Sequence, residues 1–417
     1  MTALLLLQLA VILLVARACG WVLRYFGQPP VIGEMTAGLL LGPIVFGAWA
    51  PDLHASLFPA ASLPSLSALA TVGLVLFMFI VGAELRAIEG SRAQVKAASA
   101  VGILGITLPL LLGLAISPWL YPMFAPEGLG FWPFALFIAA ALSVTAFPVL
   151  ARILKDRDLT RTRAGNLALS AAVIDDGAIW IFLAVVLTLT GGTGEHGVAL
   201  IATGAVALVA ANFLLLKPLY AWLIRRDGAP ENPPSPTLLV AILLGLVGCA
   251  AFAEWIGLHA VFGAFLFGVA MPRDDRLLRH LAKAFEPVSM LLLMPIVFAL
   301  AGLNTTPDAF VGAGLGAFAL ILLVAIAGKV VGGGIGARLS GYSWRDSLSV
   351  GALINARGLM ELIVLKIGLD AGLIGPELFT MLFGMAIVTT LMTSPLLALF
   401  SRRGQEADAP LGKNGVH

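Results

Sequence analysis

The sequence predicts an all-α polytopic membrane protein of about thirteen transmembrane helices, arranged as two inverted six-helix halves around a linker helix. Three observations carry that expectation. Of 417 residues, 60% are hydrophobic and only 12% charged, with a mean hydropathy of +1.01, whereas a soluble domain is about half apolar and a quarter charged. Basic residues occupy every second loop. Segments seven spans apart resemble one another.

At about 20 apolar residues per crossing, the spans run roughly over 3–26, 31–48, 66–86, 95–117, 131–153, 164–190, 198–224, 236–256, 258–271, 285–304, 311–338, 347–368 and 377–400. The first, Leu4 to Val15 followed by Ala16, Arg17 and Ala18, has the outline of a signal peptide. No basic residue precedes it and apolar character continues to Phe26, so a retained helix is expected.

Loops after the odd-numbered spans carry Arg24; Arg86, Arg92 and Lys96; Arg152, Lys155, Arg157, Arg161 and Arg163; Lys217, Arg225 and Arg226; Arg273, Arg276, Arg279 and Lys283; and Arg338 and Arg345. The loops between them carry Asp52, His54, Glu127, Glu195, His196, Asp308 and Asp370. Basic loops face the cytoplasm, which places the N-terminus outside and the C-terminal tail, with Arg402, Arg403 and Lys413, inside. The balance of 25 basic and 23 acidic residues gives no strongly basic face, so no nucleic-acid partner is expected. Cys19 and Cys249 both lie in apolar segments, against a disulfide framework or a zinc site.

Gly33 to Gly42 in the second span resembles Leu258 to Gly268 in the ninth, and Phe79 to Leu85 (FIVGAEL) in the third resembles Phe298 to Asn304 (FALAGLN) in the tenth. Seven spans is an odd offset, so the halves must be inverted. The expected division is 1–190 for the first repeat, 191–235 for the linker, 236–400 for the second repeat, and 401–417 for a disordered cytoplasmic tail. The same offset pairs the fifth span, with Thr145 and Pro148, and the twelfth, with Asn355, Arg357 and Glu361. Matched interruptions of this kind point to a binding site, although Pro148 alone would also suit a simple kink.

The sixth span carries Asp175 and Asp176 side by side at its middle. One charge at that depth costs at least about 2.5–3.5 kcal/mol, and two neighbours repel besides. Adjacent helical residues point about 100° apart, so the two carboxylates cannot face one cavity equally. One is expected toward an aqueous path and the other toward a buried counter-charge. Lys329 in the eleventh span is the natural partner for one of them, since each would be strongly disfavoured alone. Arg357 and Glu361, four apart, suit a pair along one helix face or direct contact with a permeating ion. Arg17, Glu34, Glu84, Glu254 and Lys366 lie nearer span ends, where snorkelling accounts for them. The run Gly332 to Gly336 follows no strand and reads as a close-packing surface, not a dinucleotide fingerprint. Gly328 and Lys329 lack the rest of a P-loop, and the histidines lack metal-ligand spacing.

The stretches VIGEMTAGLLLGP, FMFIVGAEL, ALSVTAFPVLARIL, VIDDGAIW and NARGLMELIVLKIG resemble the monovalent cation:proton antiporters of the second bacterial branch. The resemblance implies a core domain with two crossed broken helices, here the fifth and twelfth spans, and a dimerisation domain including the second and ninth. It further implies that Asp176 binds the cation or protons in competition, that Asp175 pairs with Lys329, and that Thr145 lies at the helix break. Leu359 stands where many sodium exchangers of this branch carry glutamate, with Glu361 two positions on, which leaves the cation open. The absence of a cytosolic nucleotide-binding domain argues against gated potassium efflux. The implied function is electrogenic exchange of Na⁺, or K⁺, for protons by an elevator-like motion, in a homodimer of the bacterial inner membrane, without a cofactor. A sodium-coupled organic-anion symporter on the same fold is the alternative.

Overall fold

A computed structural model of the protein describes residues 2–84, 92–160, 162–189, 198–227, 233–272 and 274–400, and every regular element among them is helical. In chain order these are α1 (Thr2–Tyr25), α2 (Pro30–Leu41), α3 (Pro51–Leu57), α4 (Leu63–Glu84), α5 (Arg92–Phe124), α6 (Phe131–Ser143), α7 (Phe147–Asp156), α8 (Arg163–Leu189) and α9 (Val198–Ala210). There follow α10 (Lys217–Arg226), α11 (Pro236–Trp255), α12 (Ala260–Ala270), α13 (Asp275–Val288), α14 (Met294–Leu303), α15 (Gly314–Leu339), α16 (Trp344–Ile354), α17 (Leu359–Asp370) and α18 (Pro376–Phe400). π-Helical segments join α9 to α10 (Ala211–Leu216) and α13 to α14 (Ser289–Leu293). The tail over 401–417, expected to be disordered, lies outside the described residues, as do Arg86, Arg161, Glu195, His196 and Arg273.

Among the described residues eleven helical segments are long and apolar enough to cross a bilayer, or twelve if α16 and α17, bent by 46° at their break, form one span. The remaining expected span is α12, with 11 residues. At 1.5 Å per residue it covers about 16 Å, roughly half of the hydrocarbon thickness. The thirteen segments are thus all helical, and the ninth is too short to cross by itself.

By their contacts the helices sort into two bodies. α5, α6–α7, α8, α15, α16–α17 and α18 pack together, and α1, α2, α4, α11, α12 and α13–α14 form the other group. In the second body the short helix of each half crosses a helix of the opposite half, α2 on α14 and α12 on α4. Glycines make those crossings possible. A Cβ on Gly302 would lie 1.7 Å from the Gly38 carbonyl oxygen, and one on Gly82 would lie 2.3 Å from that of Phe265. Gly82 of FIVGAEL and Gly302 of FALAGLN are therefore each the glycine against which a short helix rests.

In the first body, α15 lies along α5 through Gly328, Gly332 and Gly336, spaced by four and so on one helix face. Cβ atoms there would come within 2.7 Å of Pro109 Cβ, 2.5 Å of the Leu104 carbonyl oxygen and 2.6 Å of Val101 Cα. This contact brings the neighbouring Lys329 into the interior, where it is fully buried. The close-packing role expected for the glycine run is what the structure shows.

Gly332→Ala is expected to destabilise the protein by about 1–3 kcal/mol through overpacking. Gly316→Ala, at an exposed position on the same helix with nothing within 4 Å of its added methyl, should leave stability unchanged or slightly raised. Thermal unfolding in detergent distinguishes the two; equal midpoints would contradict the packing.

Candidate functional site

The fifth span is broken rather than kinked. Pro148, the second residue of α7, has no N–H to give to the Val144 carbonyl, and its ring would clash with that carbonyl in a continuous helix. The backbone is accordingly non-helical over Val144 to Ala146. The twelfth span breaks between Asn355 and Gly358. The two breaks cross, and the Ala146 N–H donates to the Ala356 carbonyl at 3.1 Å. Backbone groups freed inside a membrane protein must find such partners, because the hydrocarbon offers none.

No proline explains the second break; tertiary hydrogen bonds hold it. The Arg357 N–H donates to Thr390 Oγ1 at 2.9 Å, and that hydroxyl lies 2.7 Å from the Arg357 carbonyl oxygen, to which it can donate. Asn355 Nδ2 donates to the Thr389 carbonyl at 3.3 Å. Thr389 and Thr390, on α18, are the residues that sequence reasoning missed. A signal existed, since Thr389, Thr390, Thr393 and Ser394 put four hydroxyls into one apolar span. All four are buried.

The fully buried Arg357 guanidinium reaches across the crossing. Nη1 donates to the Ala141 carbonyl at 2.8 Å and to Glu361 Oε2 at 2.6 Å, and Nη2 donates to the Leu142 carbonyl at 2.5 Å. Ala141 and Leu142 belong to the last turn of α6, where carbonyls lack intrahelical donors and carry the negative end of the helix dipole. Glu361 lies in the first turn of α17, where a negative charge is favoured. Arg357 and Glu361 are therefore a buried i, i+4 pair that also answers two helix ends.

α8 passes the crossing and packs on α5, α6, α7 and α16. On it, Asp175 and Asp176 are both buried and turned differently. Asp175 Oδ2 accepts from Thr145 Oγ1 at 2.6 Å and from Lys329 Nζ at 2.9 Å, while Lys329 Nζ also donates to Thr145 Oγ1 at 2.6 Å. The three groups form a closed triangle of donors and acceptors. Asp176 is outside it. Neither of its oxygens has a hydrogen-bond partner of ordinary geometry among the described residues, and the Phe147 N–H, at the N-terminus of α7, faces it. One turn along α8, Trp180 meets Phe262 of α12 edge to face at 5.0 Å between ring centroids. The i, i+4 relation therefore puts Asp176 on the side of α8 that looks toward the second body.

Sequence reading assigned snorkelling to the residues nearer span ends; Glu254 is exposed as that reading expects, and for Glu34 the structure differs. Glu34 is largely buried, within electrostatic reach of Arg152 and Arg17, instead of extending toward water. Glu254 Oε2 accepts the Ala260 N–H at 2.7 Å and so serves the N-terminus of α12. Lys366 pairs with Asp370 on α17.

Residues 10–399 match the family model described as sodium/hydrogen exchanger, transmembrane. The chain belongs to that family. It is 39% identical over 396 residues to the Na⁺/H⁺ antiporter NhaS4 of Synechocystis, a match covering 94% of this chain and 96% of the other. The Na⁺/H⁺-K⁺ antiporter GerN of Bacillus cereus is 28% identical, with 94% of each chain covered. The K⁺/H⁺ antiporter 1 of Saccharomyces cerevisiae is 35% identical over 94% of this chain, which spans 46% of that longer protein. The fold is that of the sodium proton antiporter MjNhaP1 from Methanocaldococcus jannaschii, with a TM-score of 0.61 over 94% of this chain and 99% of the other at 17% identity. The family membership that the motifs implied is thus shown. Among the described residues no group of three or more His, Cys, Asp or Glu is placed to hold a metal ion.

Lys329→Met is expected to leave the Asp175 carboxylate buried and unpaired and to destabilise the protein by about 3–5 kcal/mol. The double variant Asp175→Asn/Lys329→Met should recover most of that loss. Unfolding in detergent by heat or denaturant checks both; a double variant as unstable as the single one would contradict the pairing.

Proposed function

We propose that this chain exchanges a monovalent cation, Na⁺ or K⁺, for protons, and that Asp176 carries them in turn. The observation that carries this reading is the buried Asp176 carboxylate, which lies outside the neighbouring triangle and on the side of α8 toward the second body. A buried carboxylate of this kind is costly unless something positive joins it. A proton or a desolvated cation can each do so, and not both together.

Asp175, Thr145 and Lys329 supply the second part of the mechanism. With Asp176 loaded, the lysine keeps its contact to Asp175, and proton uptake by either carboxylate changes the charge of the core in unit steps. Two carboxylates and one lysine suit two protons exchanged for one cation, so transport is electrogenic. Pro148, Asn355, Arg357 and Glu361 act as support for the crossing and hold Phe147 and Thr145 at the carboxylates. The body containing α5 to α8 and α15 to α18 moves as the elevator against the other. The two repeats are 1–190 and 236–400, with 191–235 linking them. The protein works in a bacterial inner membrane with its N-terminus outside and its C-terminus in the cytoplasm. The family resemblance supports a homodimer, and the exposed Val206, Val240, Leu244 and Val247 on α9 and α11 are compatible with one.

The test is reconstitution in liposomes with a trapped pH dye, an imposed proton gradient, and Na⁺, K⁺ or choline added outside. Cation-dependent proton movement in the wild type and its loss in Asp176→Asn is the expected result. Uptake of an organic anion with Na⁺ and no proton flux would replace this reading with a symporter. Because protons and cation compete for one carboxylate, the cation concentration for half-maximal rate should fall as pH rises, by up to about tenfold per unit while the proton dominates. A flat profile from about pH 6 to pH 9 would refute the competition. Asp175→Asn should abolish transport or make it insensitive to voltage; unchanged voltage dependence would exclude Asp175 from the charge count.

A further inference from the structure

A cavity of about 660 Å³ opens between the two bodies, away from the carboxylate pair. The second body contributes Arg24 from the last turn of α1, Gly27, Gln28 and Pro29 from the turn between α1 and α2, and Pro30 from the start of α2; the first contributes Arg152, Ile153 and Arg157 from α7 and its end, and Ser394 from α18. A smaller cavity of about 180 Å³ adjoins it and shares Arg24 and Pro30, with Arg17 and Glu34 in its wall. Four arginines and one carboxylate line the two spaces, a formal charge of 4 − 1 = +3.

The arginines have little to spend that charge on. Among the described residues none of Arg24, Arg152 and Arg157 forms an ion pair. Arg157 Nη2 donates to the Gly27 carbonyl at 3.3 Å, and Arg152 is near enough to Glu34 to act on it electrostatically. A passage for cations would not be lined this way, since like charges converging on a cavity raise the energy of any cation entering it. The same lining suits an anion. Guanidinium forks match the oxygens of a phosphate group, with two parallel N–H donors each.

Depth indicates what carries the phosphate. Trp21, Tyr25 and Phe26, on the last turn of α1 and just past it, are exposed at 77%, 88% and 69%. Exposed aromatic residues at the end of a transmembrane helix mark the level of the lipid headgroups, and Arg24 stands among these three. Basic pockets between membrane helices at that level take anionic headgroups.

We propose that the cavity between the α1–α2 turn and α7 is a binding site for a phosphate group, carried by an anionic phospholipid. Gln28 and Ser394 add neutral donors beside the arginines. The headgroup would touch both bodies at once, a property that does not depend on the transport reading.

Native mass spectrometry and thermal unfolding of delipidated protein, titrated with phosphatidylglycerol, phosphatidylcholine or pyrophosphate, test the site. Phosphatidylglycerol should bind more tightly than phosphatidylcholine and raise the unfolding midpoint. Arg24→Gln/Arg157→Gln should weaken that binding by about thirtyfold, as expected for two arginines at a membrane surface. Both side chains are exposed, and the Arg24→Lys/Arg157→Lys variant, which keeps the charge, should retain most of the preference. Arg225→Gln/Arg226→Gln, on α10, should behave as wild type. Pyrophosphate binding with the same dependence on Arg24 and Arg157 would keep the phosphate site and assign it to a soluble ligand. Equal affinity for the two lipids without any effect of pyrophosphate, or a preference that survives Arg24→Gln/Arg157→Gln, would overturn the proposal.

Discussion

Two helices that stop halfway through the structure impose the constraint on which the rest depends. Each break frees backbone donors and acceptors where lipid cannot satisfy them, and each exposes the charged end of a half-helix. The structure answers by crossing the breaks, so that Ala146 donates to Ala356, and by bringing α18 beside them with Thr389 and Thr390. Arg357 closes the arrangement by reaching the last carbonyls of α6 while paired with Glu361. An interior of this kind is polar at its centre and apolar around it, which is the setting that two adjacent aspartates require.

The different situations of those aspartates follow from helix geometry and from glycine. Adjacent positions on α8 diverge by about 100°, so one carboxylate turns to α15 and the other toward the second body. α15 comes close enough to bring Lys329 to Asp175 because Gly328, Gly332 and Gly336 let it rest on α5. Thr145, delivered by the break in the fifth span, completes the triangle with a hydroxyl that both donates and accepts. Asp176 has no comparable partner, and under the proposed exchange that difference divides the labour: one carboxylate is held by fixed charge, the other is free to take its charge from solution.

The boundary between the two bodies contains Trp180 with Phe262 near the carboxylates and the arginine-lined cavity at its edge. Ring contacts are apolar and their preferred geometries are shallow, so they tolerate displacement better than a hydrogen-bonded seam. At the cavity the ties are different: Arg157 holds the Gly27 carbonyl, and Gln28 Nε2 donates to the Leu391 carbonyl at 3.4 Å. An anionic headgroup seated there would add charge-assisted contacts to both sides of the same boundary.

Much of this was legible in the sequence. Hydropathy located the helical segments, because twenty apolar residues have few other uses. Asp175, Asp176 and Lys329 declared themselves, because charge at that depth is expensive and needs a reason. Pro148 announced the first break through its missing N–H. The second break had no such mark, since Asn355 to Gly358 are held open by Thr389 and Thr390 from another helix, and a hydroxyl inside a helix ordinarily bonds its own backbone four residues back. The ninth segment read as a short span, and its packing on α4 shows how a helix of 11 residues is accommodated. Glu34 read as a snorkelling side chain, whereas the fold largely buries it within electrostatic reach of Arg152 and Arg17. The sequence by itself determined where the apolar helical segments lie and that the charges at mid-membrane depth had to find partners, because those follow from local composition and the cost of desolvation. Only the tertiary structure decided which partner each charge took and where the second half-helix ended, because both depend on contacts between residues as much as 216 positions apart.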